Sequence, residues 1–124
     1  MNQASCNIKY NHEYAGDLVA WGSTNIKSSP EECCKSCQEN MKQNMINKSS
    51  KDPCNIWVYC NDEKGCGGGS SPKGSCWLKY QGFAETPTVQ AKGPSVPWVS
   101  GSLPDPIEDD PVSVNFIILY SLSY

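Results

Sequence analysis

The sequence predicts a small, disulfide-rich α+β domain, with one helix set among several short strands. Three observations carry that expectation. Eight cysteines fall in 124 residues, all within the first two thirds of the chain. One strong helix start stands at Ser29-Pro30-Glu31-Glu32. Short alternating segments bounded by glycine, proline and asparagine lie on both sides of it. An even number of cysteines at this density reads as a disulfide framework, which persists only in an oxidising compartment. Apolar content of 38% is low for a chain that must stabilise itself by burial alone. Cross-links make up that shortfall, since closing a loop of about 40 residues contributes roughly 4 kcal/mol.

Taken in chain order, Tyr10 to Trp21 is expected to give one or two strands around a turn at Gly16-Asp17. The helix follows. Serine at the N-cap, proline at the first helical position and glutamate at the third make a capping box, and the two acids oppose the helix dipole. It is expected to run from Pro30 to about Gln43 and carries three cysteines. Cys33 and Cys37, four apart, share a face, while Cys34 points about 100° away. One face of the helix is therefore stapled to what lies beneath it. Asn44 to Pro53 reads as a polar loop holding Asn47-Lys48-Ser49, an N-glycosylation sequon. Cys54 to Cys60 alternates like a strand, with Cys54, Ile56, Val58 and Cys60 on one face and Asn55, Trp57 and Tyr59 on the other. Asn61 to Ser75 is a glycine-rich connection. It lacks the Gly-Lys-Ser/Thr ending of a phosphate-cradling loop. Ser75 to Tyr80 and Trp98 to Leu103 read as two more strands.

After Leu103 the composition changes. Proline-spaced acids from Pro104 to Pro111 read as a solvated linker, and the apolar run Phe116 to Tyr120 is far shorter than the roughly 20 residues that cross a bilayer. The expected division is a domain over 1–103 with a linker and short apolar tail over 104–124. Met1 to Ser5 has neither the basic nor the apolar region of a signal peptide, so a fragment or processed form of a secreted chain is expected.

The residues placed so far resemble the PAN/Apple domain family, most of all its extracellular forms in algae, oomycetes and plants. The resemblance rests on Cys6, Tyr14-x-Gly16-Asp17-Leu18, Ser29-x-x-Glu32-Cys33-Cys34-x-x-Cys37, Cys54-Asn55-x-Trp57-x-Tyr59, Cys76-Trp77-Leu78-Lys79 and Trp98-Val99-Ser100-Gly101. It covers about residues 5 to 103. It implies an antiparallel sheet crossed by one helix, with Cys33–Cys76 and Cys37–Cys54 tying the two together. The family pairs an N-terminal cysteine with one near the C-terminus, but no cysteine follows Cys76. Cys6, Cys34, Cys60 and Cys66 therefore stay unassigned; Cys34–Cys60 with Cys6–Cys66, and a local Cys60–Cys66 loop, are both open.

Chemistry narrows the function. All ten basic residues are lysine and the net charge is −3, so the planar fork suited to phosphate and base edges is missing and nucleic-acid binding is not expected. Cys34-Lys35-Ser36-Cys37 could be a redox or zinc motif, but it lies inside a helix rather than at its start, and one histidine with unpaired spacings does not make a zinc ribbon. No metal and no cofactor is expected. His12 is the sole histidine, and nothing sets Glu13, Asp17, Glu31 or Glu32 face to face, so an enzyme is not expected.

The aromatics Tyr10, Tyr14, Trp21, Trp57, Tyr59, Trp77, Tyr80 and Trp98 offer the positive lead, since such rings stack on sugars and anchor interfaces. Trp57 and Trp77 are expected in the core, and Tyr80 and Trp98 at the surface as ligand contacts. The resulting expectation is a secreted, non-enzymatic binding module, a glycoprotein modified at Asn47, whose partner is a carbohydrate or an extracellular protein. The alternative is a cross-linked, self-associating subunit of a matrix, wall or filament.

Overall fold

The computed structural model describes residues 6–48 and 50–104. Five strands form one sheet in the order β1 (Lys9–Tyr10), β7 (Trp98–Ser102), β4 (Ile56–Cys60), β5 (Cys76–Tyr80) and β3 (Asp17–Ala20), and every neighbouring pair is antiparallel. A second, two-stranded ribbon joins β2 (His12–Tyr14) to β6 (Val89–Lys92). One helix, α1 (Pro30–Asn47), crosses one face of the large sheet. The architecture is thus the small disulfide-rich α+β fold that the cysteines and the capping box announce.

The helix begins where its sequence says it should. Ser29 is extended (φ −160°, ψ 162°), and its Oγ accepts from the Glu32 N–H at 3.1 Å. Such a cap contributes about 1 kcal/mol. The helix ends four residues beyond the expected Gln43. Asn44 continues the turn by donating from Nδ2 to the Asn40 carbonyl at 3.1 Å, and Lys48 in the left-handed region (φ 51°) closes it. Asn40 has a further role, as its Oδ1 accepts from the Cys54 N–H at 2.9 Å and ties the helix to the start of β4. The polar composition of Asn44 to Asn47 hid this last turn, because a half-solvated helix end has few apolar positions to report it.

β4 is the central strand and is buried on both faces. Trp57 and Tyr59 pack toward the helix with Cys33, Cys34, Cys37, Leu78 and Val99. Ile56, Val58 and Cys60 pack on the opposite face with Tyr14, Cys66, Ala84 and Trp98. Cys54 departs from its expected place beside Ile56. It lies before the strand proper and joins the helix-side cluster, drawn there by its bridge to Cys37. Gly101, on β7 opposite Trp57, has no room for a side chain, since a Cβ there would stand 2.3 Å from the Trp57 ring and from the Cys6 carbonyl.

Four bridges are present: Cys6–Cys34, Cys33–Cys76, Cys37–Cys54 and Cys60–Cys66. Three of them hold α1. Of the two open arrangements, Cys34–Cys60 with Cys6–Cys66 is not adopted, because Cys60 faces away from the helix and the sheet stands between it and Cys34. Cys34, directed to one side of the helix, instead meets the N-terminal segment that lies over β7, where Asn7 Nδ2 donates to the Ser102 carbonyl at 3.0 Å.

The region from Tyr10 to Trp21 gives β2 and β3 on either side of Gly16, and the short β1 just precedes them, ending at Tyr10 before the tight residue Asn11 (φ 57°). β6 was not expected from the sequence. Most of its residues are exposed, so it has no buried face to impress a period of two on the sequence. Among the described residues no helix is long and apolar enough to cross a membrane. The acidic linker beyond Pro104, the run Phe116 to Tyr120 and Ser49 of the sequon lie outside the described residues.

Candidate binding site

The β2–β6 ribbon folds onto the sheet face that the helix leaves open. Ser100 fastens it there, because its Oγ donates to the His12 carbonyl at 2.8 Å and accepts from the Tyr14 N–H at 3.1 Å. The ribbon lies over β7 and β4 and leaves the β5–β3 half of that face uncovered, which creates a groove of about 330 Å³. Leu18, Val58, Trp77 and Lys79 line it from the sheet, Glu13 and Gln90 from the ribbon, and Ser70 and Ser71 from the glycine-rich loop. The Cys60–Cys66 bridge and the Cys66–Ser71 pairing fix that loop as a wall.

Trp77 and Lys79 alternate with buried Leu78, so both project into the groove while Leu78 faces the helix side. Lys79 Nζ donates to the Tyr14 carbonyl at 2.9 Å. Withdrawal from water lowers its pKa below the ordinary lysine range, and nearby Glu13 opposes that shift. Trp77 Nε1 donates to Ser71 Oγ at 3.3 Å, which orients the indole. Against Trp77 lies Trp21, with ring centroids 5.2 Å apart and planes inclined at 54°. Trp21 is 60% exposed, held by a neighbouring ring rather than by a core. The following residue, Gly22, makes that approach possible, because a Cβ there would stand 2.1 Å from the Trp77 ring.

Two further clefts flank Asp17 and Tyr80 at the β3 edge. One, of about 480 Å³, is bordered by Ala15, Gly16 and the loop carrying Phe83, Thr86 and Thr88. The other, of about 490 Å³, lies toward the helix and is bordered by Asn40, Asn44, Ser50, Lys51 and Asp52. Gln81 braces the first, donating from Nε2 to the Ala15 and Thr88 carbonyls at 2.6 and 3.0 Å and accepting from the Thr88 N–H at 2.8 Å. Its backbone is held by Asn55 through bonds of 2.7 and 2.8 Å.

The expected site residues are therefore divided. Tyr80 is half-buried and lines the two edge clefts, whereas Trp98 lines the groove on the opposite face. Trp98 is only 8% exposed, a correction to its expected place at the surface. It opens β7 opposite Cys60, and the ribbon folds over it with Tyr14. Trp77, expected in the core, is half-exposed in the groove. Phe83, 76% exposed, is a surface ring that sequence reasoning did not name, and Trp21, named among the aromatic leads, was not placed at the surface there. Trp21 stands just past a strand end before glycine, and Phe83 sits between Gly82 and Ala84 in a turn; both positions signal exposure. His12 Nδ1 lies 2.8 Å from the Tyr10 carbonyl, and its ring meets Tyr14 edge to face at 6.1 Å. Glu13, Asp17 and the pair Glu31 and Glu32 lie on three different elements.

In comparison with known families, the model of the PAN domain matches residues 12–42 and 49–79, half of the chain. No curated protein and no solved structure matches it.

Proposed function

Because the chain belongs to the PAN domain family, whose members are modules commonly used in protein or carbohydrate binding, we propose that it is an extracellular, non-enzymatic module that binds carbohydrate in the groove beside Trp21 and Trp77. The observation that carries this reading is the Trp21–Trp77 pair. A tryptophan 60% exposed, yet held in place by a second indole, offers a flat apolar face with little orientational freedom left to lose on binding. Beside it the groove supplies what a polyol requires. Lys79 and Gln90 donate, and Glu13 accepts. Four disulfides with no free cysteine fit an oxidising, extracellular setting. Residues 1–103 are the binding unit in this proposal, and 104–124 stand outside it.

The full oxidised chain, applied to a glycan array and to insoluble wall polysaccharides, tests the proposal. Retention is expected, with loss after reduction and alkylation. Trp21→Ala should weaken the retained interaction about 30-fold, the cost of removing an anchor of about 2 kcal/mol, while loss of the Trp77 contact lowers the melting temperature by only a few degrees. No retention by protein whose four bridges are intact would refute the carbohydrate reading.

Asn47 is the proposed attachment site of an N-linked glycan. It is exposed in the last turn of α1, beyond the bridge-bearing turns of the helix, where a glycan can project into solvent. Protein secreted from eukaryotic cells should lose mass on enzymatic deglycosylation, and Asn47→Gln should abolish that change. An unmodified wild-type mass would remove the assignment.

A further inference from the structure

The clefts on either side of Asp17 have a chemistry distinct from the groove on the sheet face. Asp17 and Tyr80 are directly opposed on neighbouring antiparallel strands, so their side chains stand together on one face. Both residues line both clefts, which makes this pair the divide between them. Asp17 is exposed, and among the described residues its carboxylate takes no hydrogen bond and no ion pair. The other ionic groups at the clefts are Lys51, which has contacts of its own, and Asp52. Gln81 is committed to bracing the loop. What remains available is a carboxylate next to a phenol, the exposed ring of Phe83, and the hydroxyls and amides of Thr86, Thr88, Asn44 and Ser50.

Each available group selects something. A carboxylate beside an aromatic face favours an organic ammonium, by charge and by attraction to the ring. Hydroxyls and amides that both donate and accept suit a ring bearing several hydroxyl groups. An exposed phenyl suits the apolar face of such a ring. The chain's net charge of −3 attracts cations and repels polyanions. Clefts of 480 and 490 Å³ fall within the range that holds small ligands, and their shared divide suits a linear oligomer lying across both.

We propose that these clefts form a second site, for a cationic amino sugar, with the sugar ammonium seated between the Asp17 carboxylate and the Tyr80 ring. The Gln81 brace keeps the Phe83 loop in position before the ligand arrives, which limits the ordering cost of binding.

Calorimetric titration of the full chain with a β-1,4-linked glucosamine hexamer, and with its fully N-acetylated counterpart, tests the assignment. The glucosamine oligomer is expected to bind, and the acetylated one about tenfold more weakly, the worth of one hydrogen bond to a charged group. Asp17→Asn, nearly isosteric at an exposed position, should bring glucosamine binding down to the acetylated level with the melting temperature unchanged. Phe83→Ala should weaken both oligomers. Equal affinity for the two oligomers, no glucosamine binding, or an Asp17→Asn variant that binds like wild type would each overturn the proposal. Glucosamine binding that falls with Trp21→Ala and not with Asp17→Asn would place the ligand in the sheet-face groove and overturn it as well.

Discussion

Replacing Cys33 and Cys76 together with alanine is expected to lower the melting temperature of the oxidised protein by about 20 °C. The bridge joins residues 43 apart, and the chain-entropy argument values its removal at about 4 kcal/mol. In a domain of this size each kcal/mol moves the melting temperature by about 4–8 °C. Both sulfurs are fully buried between α1 and β5, so alanine also removes contacts that the framework does not replace. The same substitution at Cys60 and Cys66, only 6 apart, should cost about half as much, because the loop it closes is already short. Thermal melts of the two double variants under oxidising conditions check the order. If the Cys60–Cys66 variant proved the less stable, entropy of the unfolded chain would not be the main source of the effect.

Trp57→Ala is expected to cost about 4 kcal/mol, the range for emptying the site of a large, fully buried aromatic ring. The indole N–H has no hydrogen-bond partner in the interior, so the ring stabilises the fold through packing alone. Gly101→Ala should cost about 3 kcal/mol by the opposite mechanism, forcing a methyl group against that ring and against the Cys6 carbonyl. The two effects occupy the same space. Combining the substitutions frees the new methyl group from the ring but not from the Cys6 carbonyl, so the double variant should be somewhat more stable than the sum of the two costs implies. Chemical denaturation of the three variants measures that coupling, and simple additivity would show that the ring and the glycine do not compete.

Much of the fold was legible because the informative residues are those with few physical options. A serine, a proline and a glutamate in the right order start a helix in almost any context, and α1 begins where they stand. Cysteines in a chain with a small apolar fraction require partners. β4 and β5 showed their alternation because at least one of their faces is buried. Where burial is missing, the pattern fades, as in the exposed β6 and the last turn of α1. The candidate site was less legible for a related reason. Whether Trp98 or Trp77 meets solvent depends on which half of the sheet the ribbon covers, and that is decided by Ser100 fastening β2 from 86 and 88 residues away in sequence. No local composition encodes such a choice. Trp21 takes its exposed place because Gly22 leaves room for the Trp77 ring, a contact between a residue just past the end of β3 and one on β5.

All four bridges lie between Cys6 and Cys76, which gives the molecule an uneven response to tension. A pull on the N-terminal side reaches Cys6 first, where a covalent link to the helix bears the load before β1 feels it. Among the described residues, a pull on the C-terminal side meets only the hydrogen bonds and packing of β7, and beyond it the ribbon strand β6. Stripping β7 would expose Trp57 and Val58 and release Ser100 from the ribbon, so the wall of the groove would be lost while every disulfide stayed intact. The sheet-face groove is thus coupled to the mechanical state of the chain's C-terminal side, and force applied there would dismantle it without unfolding the cross-linked half.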